Sequence, residues 1–273
     1  MKILIVGKNS RITQFLKEYL DKDFTILTGN YSEILKKKSS YFKKFKYIIN
    51  CTSNKKYINA PYDVANDNDY RIARKIVNID TSYIFLSTRK VYKPKENCKE
   101  TDKLKPSCNY SKNKLKTENK LKTIIKNRLL ILRISNVIGI TKKNSKKKLH
   151  ETFIDVFFKN IKKGFIIKNQ KVFKDFVSSK KFGLLVSKLI KLNANGTYNL
   201  SIGKKIYLEQ IVQWLNFYNP DSYEIINHNK FNLNKDSFFL NNKKILKKTK
   251  IKLSIANLKS ECKKISKKYF LNK

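Results

Sequence analysis

Lys2-Ile3-Leu4-Ile5-Val6-Gly7-Lys8-Asn9-Ser10-Arg11-Ile12-Thr13 opens the chain with an unbroken apolar run, a turn at Gly7 and the start of an amphipathic stretch that continues to Leu20. A strand with one wet face alternates apolar and polar residues, whereas a strand covered on both faces is apolar throughout. The run therefore predicts a buried parallel strand followed by a turn and a helix. Further apolar or β-branched runs recur at 24–28, 47–51, 83–87 and 129–134, with helical patterns between them near 31–44, 61–78 and 110–127. Strands alternating with helices imply βαβ units, so the expected class is α/β, a Rossmann-like doubly wound parallel sheet. The second half is more mixed. It carries a helical stretch at 150–163, short strands near 165–168, 172–177 and 197–201, and helices near 180–192, 207–217 and 254–270.

The chain has 273 residues, 41% of them hydrophobic and 12% aromatic, which supplies enough apolar surface to offset the ordering entropy of folding and excludes a disordered chain. No stretch reaches the roughly 18 consecutive apolar residues of a membrane span, and the opening run is too brief for a signal peptide. The expected address is the cytoplasm, without membrane insertion. Four scattered cysteines (Cys51, Cys98, Cys108, Cys262) form no CxxC pair, and His150 and His228 are the only histidines, so no metal site is expected. The net charge of +42 would ordinarily raise nucleic acid as a partner. Fifty-six lysines against six arginines, spread along the whole chain, instead read as a compositional bias covering a solvated surface, with no specific nucleic-acid partner.

In a doubly wound sheet the ligand crevice lies outside the carboxyl ends of the strands, so residues just after strands are the first to consider. After the strand at 83–87 come Thr88-Arg89-Lys90-Val91-Tyr92, and 22 residues beyond Thr88 lies Tyr110-Ser111-Lys112-Asn113-Lys114. One helical turn puts Tyr110 and Lys114 on one face. A phenol is a poor acid or base at neutral pH unless an adjacent ammonium stabilises its anion, and Lys114 stands at the spacing to do this. Thr88 could hydrogen-bond a carbonyl or alkoxide undergoing reduction or oxidation. In a chain this rich in Tyr and Lys the same spacing also arises by chance on a solvated helix face; the order of strand, Ser-Thr turn and helix start favours catalysis.

At this point the sequence resembles the extended short-chain dehydrogenase/reductases, the NAD-dependent epimerase/dehydratase family of nucleotide-sugar metabolism. Phe85-Leu86-Ser87-Thr88 with Val91-Tyr92 is similar to the family's strand and active-site turn. Glu100, Pro106, Tyr110, Lys114 and Glu118 resemble its E…P…YxxxK segment and the acidic residue that follows. Leu132 to Gly139 resembles an LRxxNVxG element whose asparagine, here Asn136, lies near the substrate diphosphate. Asp175-Phe176-Val177 resembles RDFV, and Gly196 to Leu200 resembles the GxYN strand. The resemblance implies a dinucleotide-binding domain over 1–140 and a mainly substrate-binding lobe over 141–273, with segments near 165–200 able to return to the main sheet. Cofactor contacts are implied for Gly7, Lys8, Ser10, Arg11, Ile12, Asn50, Cys51, Thr52, Tyr110 and Lys114, catalysis for Thr88, Tyr110 and Lys114, and substrate binding for Thr88 and Asn136.

The departures matter as much. Ser10 and Thr13 stand where the second and third glycines of the GxxGxxG turn belong, positions that let backbone approach the pyrophosphate and helix approach strand. Ser10 is small enough to be tolerated; Thr13 is the greater obstacle. As an ordinary helix start, the same residues would offer Asn9 or Ser10 as a cap. The strand end Ile26 to Asn30 lacks an acidic residue for the adenosine ribose, which leans toward NADP(H) over NAD(H), with Lys8 and Arg11 adding positive charge. Cys51 reads as a small buried filler. Arg89 and Lys90 replace the Asp-Glu pair of dehydrating relatives, which disfavours dehydration. That leaves reductase or epimerase; the chain is short for an epimerase with a full nucleotide-sugar lobe and its length resembles the dTDP-4-dehydrorhamnose reductase type, so the resemblance implies reduction of a 4-keto nucleotide sugar, a step in cell-surface polysaccharide precursor synthesis. A nucleotide-sugar epimerase and a catalytically degenerate scaffold, the latter prompted also by Lys181 at a usually acidic position, are the alternatives; a nucleic-acid-binding protein is the weakest. A homodimer is left open.

Overall fold

The computed structural model describes residues 1–140, 152–168, 172–221, 224–227 and 237–271. The lysine-rich segment 142–148 and both histidines, His150 and His228, lie outside them. Among the described residues, twelve strands run β1 Lys2–Val6, β2 Thr25–Gly29, β3 Tyr47–Asn50, β4 Ser82–Thr88, β5 Leu129–Ile134, β6 Asn136–Ile138, β7 Phe165–Lys168, β8 Phe173–Lys174, β9 Phe176–Ser178, β10 Gly196–Leu200, β11 Ile206–Tyr207 and β12 Glu224–Asn227. The α-helices are α1 Arg11–Leu20, α2 Tyr31–Leu35, α3 Lys55–Asn59, α4 Asn68–Ala73, α5 Asn109–Ile125, α6 Phe153–Ile161, α7 Ser179–Lys191, α8 Leu208–Leu215, α9 Lys243–Thr249 and α10 Ile255–Phe270.

Six strands make one sheet in the order β10-β5-β4-β3-β1-β2, and every neighbouring pair is parallel. The burial of β1 explains the opening run: Ile3, Leu4, Ile5 and Val6 are all fully buried, two toward each face. On one face Ile3 and Ile5 pack with Phe15 and Leu16 of α1 and Phe182, Leu185 and Leu189 of α7. On the other, Leu4 and Val6 pack with Ile72 of α4 and Leu121 and Ile125 of α5. A separate cluster joins Phe157 and Ile161 of α6, Trp214 and Leu215 of α8, and Leu258, Cys262 and Ile265 of α10. Among the described residues no helix is long and apolar enough to cross a membrane.

Two helical stretches are shorter than their periodicity suggests. The stretch 61–78 breaks into a 3₁₀ turn at Val64–Asn66, α4, and a second 3₁₀ turn at Arg74–Ile76. Two aspartates cause the break: Asp63 accepts from the Ala65 amide and Asp67 from the Tyr70 amide, each side chain starting a new turn where a continuous helix would need its own carbonyl bonds. The stretch 31–44 likewise divides into α2 and a 3₁₀ turn at Ser39–Lys44.

Chain order reverses at β1, with β2 on one side and β3 on the other, so the crevice between the carboxyl ends of β1 and β3 is the topological switch point. Gly7 sits there with φ +102°, and a Cβ on it would lie 2.6 Å from Thr52 Cγ2 and 3.3 Å from the Cys51 carbonyl carbon. Both the backbone angle and the space require glycine. Gly7→Ala is expected to cost about 1–3 kcal/mol, read as a lowered denaturation midpoint.

Candidate active site

The β1–α1 turn and the end of β3 are locked together. The Cys51 amide donates to the Val6 carbonyl (2.8 Å), and Thr52 fills the space a side chain on Gly7 would need. The Thr52 hydroxyl donates to Asn50 Oδ1 (2.7 Å) and accepts from Asn68 Nδ2 (2.9 Å). Thus Gly7, Asn50, Cys51 and Thr52 meet at the switch point. Burial pushes the Cys51 thiol up to about 12, so it stays protonated, in keeping with a packed filler.

Thr13 is accommodated. Its side chain is 1% exposed, and its hydroxyl donates to the Gly7 carbonyl at 2.7 Å, so the bulk at the third glycine position becomes a bond between helix and turn. Ser10 is the N-cap of α1 without a side-chain cap bond, and its own amide donates back to Gly7. The first-turn amides of Arg11, Ile12 and Thr13 have no partner within the helix, and no acidic side chain occupies that turn. A turn with forced glycine geometry leading into such a helix start fits the phosphates of a dinucleotide.

Arg11 is drawn elsewhere. Its guanidinium donates to Thr152 Oγ1 (2.9 Å) and Asp155 Oδ1 (3.0 Å) at the start of α6. Lys8 is exposed. Four residues beyond the end of β2, Glu33 accepts from Asn30 Nδ2 (2.7 Å); that bond, with help from Lys8 and Lys37, holds its carboxyl below the usual range. The sequence reading looked for an acid at the strand end and missed this one on α2.

The second half of the site forms where α5 meets β4. Lys114 is 4% exposed rather than part of a solvated face, and its ammonium donates to the Leu86 carbonyl (3.0 Å), two residues before Thr88, and to Asp69 Oδ2 (3.4 Å). Burial lowers the proton affinity of this lysine, but the charges of Asp69, Tyr110 and Asp67 outweigh it and hold the ammonium above the ordinary lysine value. Tyr110 is half-buried in the first turn of α5, within electrostatic reach of Lys114 and Tyr57. Thr88 closes β4; its Oγ1 accepts from the Lys90 amide at 3.2 Å. Asp69 was not singled out in the sequence. The available signal was the Asp67-Asn68-Asp69 cluster inside an apolar pattern, in a chain with only 20 acidic residues.

Beneath Thr88 lies a buried polar network. Ser87 donates to Glu118 Oε1 (2.5 Å), and Glu118 accepts from Arg133 Nε (3.1 Å) and Nη2 (2.7 Å). Arg133 Nη1 donates to the Tyr92 hydroxyl (2.8 Å), which donates to Asn199 Oδ1 (2.8 Å) on β10. Asn136 stands apart from this group, on β6: its backbone and side-chain N–H groups both donate to the Asp175 carbonyl. The Asp175 carboxylate accepts from the Leu240 and Gly203 amides, and burial pushes its pKa to about 7.

Residues 1–156 match the family described as the RmlD substrate binding domain. Among solved structures, the chain is similar to a dTDP-4-dehydrorhamnose reductase from Clostridium acetobutylicum, with 17% identity, a TM-score of 0.75, and coverage of 96% of this chain and 98% of that one. It is similar to a UDP-N-acetylglucosamine 4-epimerase from Methanobrevibacter ruminantium in complex with UDP-N-acetylmuramic acid, with 15% identity, a TM-score of 0.81, and coverage of 100% and 99%. It is also similar to RMD from Pseudomonas aeruginosa complexed with NADPH, with 15% identity, a TM-score of 0.75, and coverage of 100% and 98%. At these identities the likeness speaks to the fold alone. No curated protein matches the chain in sequence.

Proposed function

The chain belongs to the RmlD substrate binding domain family, and from that premise we propose that it reduces the 4-keto group of a nucleotide sugar with a reduced nicotinamide dinucleotide. The observation that carries the reading is Lys114, a buried ammonium reaching from α5 to the last residues of β4, one helical turn from Tyr110 and two residues from Thr88 on the strand. The cofactor supplies hydride to the keto carbon when bound. Gly7, Ser10 and the α1 amides of Arg11 and Ile12 would hold its phosphates, and Asn50, Cys51 and Thr52 would line the crevice beside it. Thr88 orients the carbonyl, Tyr110 gives its proton to the forming alkoxide, and Lys114 holds the ribose and stabilises the phenolate left behind. Asn136 is assigned to the substrate diphosphate. Arg89 and Lys90, both basic, offer no carboxylic acid and carboxylate for dehydration.

The test is loss of reduced-cofactor absorbance on adding a panel of 4-keto nucleotide sugars. Interconversion of 4-hydroxyl epimers without net cofactor consumption would assign the chain as an epimerase instead, and failure to bind either cofactor would leave it a degenerate relative. NADPH is expected to bind more tightly than NADH, because no acid follows β2 directly and Lys8 is exposed to meet a 2′-phosphate. Fluorescence titration of both checks this, and tighter NADH would show that Glu33 governs the ribose instead.

A further inference from the structure

One side chain joins two helix starts. Arg11 is the first residue of α1, and Thr152 is the N-cap of α6. α6 packs its Phe157 and Ile161 into the cluster with Ile138 of β6 and Phe176 of β9, apart from the two clusters that flank the main sheet. Arg11 crosses between them: its Nη1 donates to Thr152 Oγ1 (2.9 Å) and its Nη2 to Asp155 Oδ1 (3.0 Å). The other carboxylate oxygen of Asp155 accepts from the Thr152 amide (2.9 Å) and hydroxyl (2.7 Å), which closes the capping box of α6. The Asp155 side chain is 13% exposed and that of Arg11 27%, so water screens the pair only in part.

A carboxylate here works against the site. The amides of a helix start attract anions, and α1 carries no acidic residue in its own first turn. Asp155 comes from a distant part of the chain, yet it lies one arginine side chain away from those amides, where its charge repels a diphosphate. Arg11 stands between the two. Its planar guanidinium suits phosphate as well as carboxylate. While it is paired with Asp155 the two carry no net charge, so the phosphates gain little from it.

We propose that Asp155 is a resident anion that competes with the dinucleotide phosphates for Arg11 and so holds down the affinity for the cofactor. This rests on those phosphates lying at the start of α1. Arg11 in turn screens them from Asp155. Because the same carboxylate closes the start of α6, the affinity for the cofactor is tied to a helix that shares its apolar cluster with Ile138, two residues from Asn136 on β6.

NADPH and NADH are titrated by fluorescence at low salt into the parent, Asp155→Asn, Arg11→Met and the double variant. Asp155→Asn is expected to bind about fivefold more tightly and Arg11→Met about fivefold more weakly, the scale of one partly screened charge removed within a side-chain length. The double variant should return toward the parent, since no unpaired carboxylate is left to repel the phosphates. Both cofactors share the pyrophosphate, so the changes should be equal for NADPH and NADH and should shrink as salt is added. An unchanged or lower affinity in folded Asp155→Asn overturns the proposal, and so does a double variant as weak as Arg11→Met. A gain confined to NADPH also overturns it, by placing Arg11 at the 2′-phosphate. Where Asp155→Asn does not fold, Asp155→Gln takes its place, because glutamine at this position also closes a capping box. Equal binding by all four proteins sinks the proposal alone and leaves the cofactor site standing; no binding by parent and Asp155→Asn alike sinks the dinucleotide site and the proposal with it. A chain that binds in the expected order yet reduces no keto sugar sinks the reductase reading and leaves the competition for Arg11 standing.

Discussion

Tyr110→Phe is expected to lower turnover of a 4-keto nucleotide sugar by about 10²–10⁴-fold, the usual cost of losing a positioned proton donor, while fold and cofactor affinity stay near the parent's. The substitution removes one oxygen from a half-buried ring at the start of α5, and among the described residues no hydrogen bond depends on that hydroxyl. Stability therefore gives no reason for a loss of rate. Lys114→Met should behave differently: it removes the donor to Leu86 and strands Asp69 without its cation, so turnover, cofactor binding and melting temperature should all fall. The contrast separates a chemical role from a structural one. Wild-type turnover in Tyr110→Phe, on a substrate the parent reduces, would mean that another group supplies the proton.

The sheet was legible because parallel strands buried on both faces leave a continuous apolar signature, as at Ile3 to Val6 and Leu129 to Leu132. The Tyr110–Lys114 spacing was legible because a helix turns in 3.6 residues. What the sequence concealed was long-range pairing. Lys114 meets a carboxylate 45 positions earlier, and Arg11 meets Asp155 across 144 positions, separations at which no local periodicity operates. The setting of Thr13 was hidden for a related reason. Its size was visible, but the hydroxyl bond to the Gly7 carbonyl that makes the size acceptable belongs to the folded turn. The broken helix over 61–78 falls between these cases, since Asp63 and Asp67 were visible as capping residues inside an apolar pattern that masked them.

Arg133→Met is expected to be the most damaging single change to stability, at about 3–5 kcal/mol, because it leaves a buried carboxylate without its cation. Arg133 and Glu118 are 3% and 0% exposed in their side chains and share two hydrogen bonds, and the third arm of the guanidinium reaches Tyr92 and the Glu100 carbonyl. Methionine can fill the volume of the arginine stem, but it donates nothing to Glu118, which is fully buried. For a chain of this size the loss corresponds to a melting temperature lower by on the order of 10 °C. Arg133→Met/Glu118→Leu should recover much of that loss, because a burial cost that required the pair disappears with it. The double variant also addresses function. Ser87, whose hydroxyl donates to Glu118, immediately precedes Thr88, so removing the network frees the end of β4 where the substrate carbonyl is proposed to lie. A double variant that is stable yet slow, with an unchanged cofactor affinity, would mean that the pair serves mainly to fix Thr88; one that is stable and fully active would mean that β4 is held in place by the sheet alone.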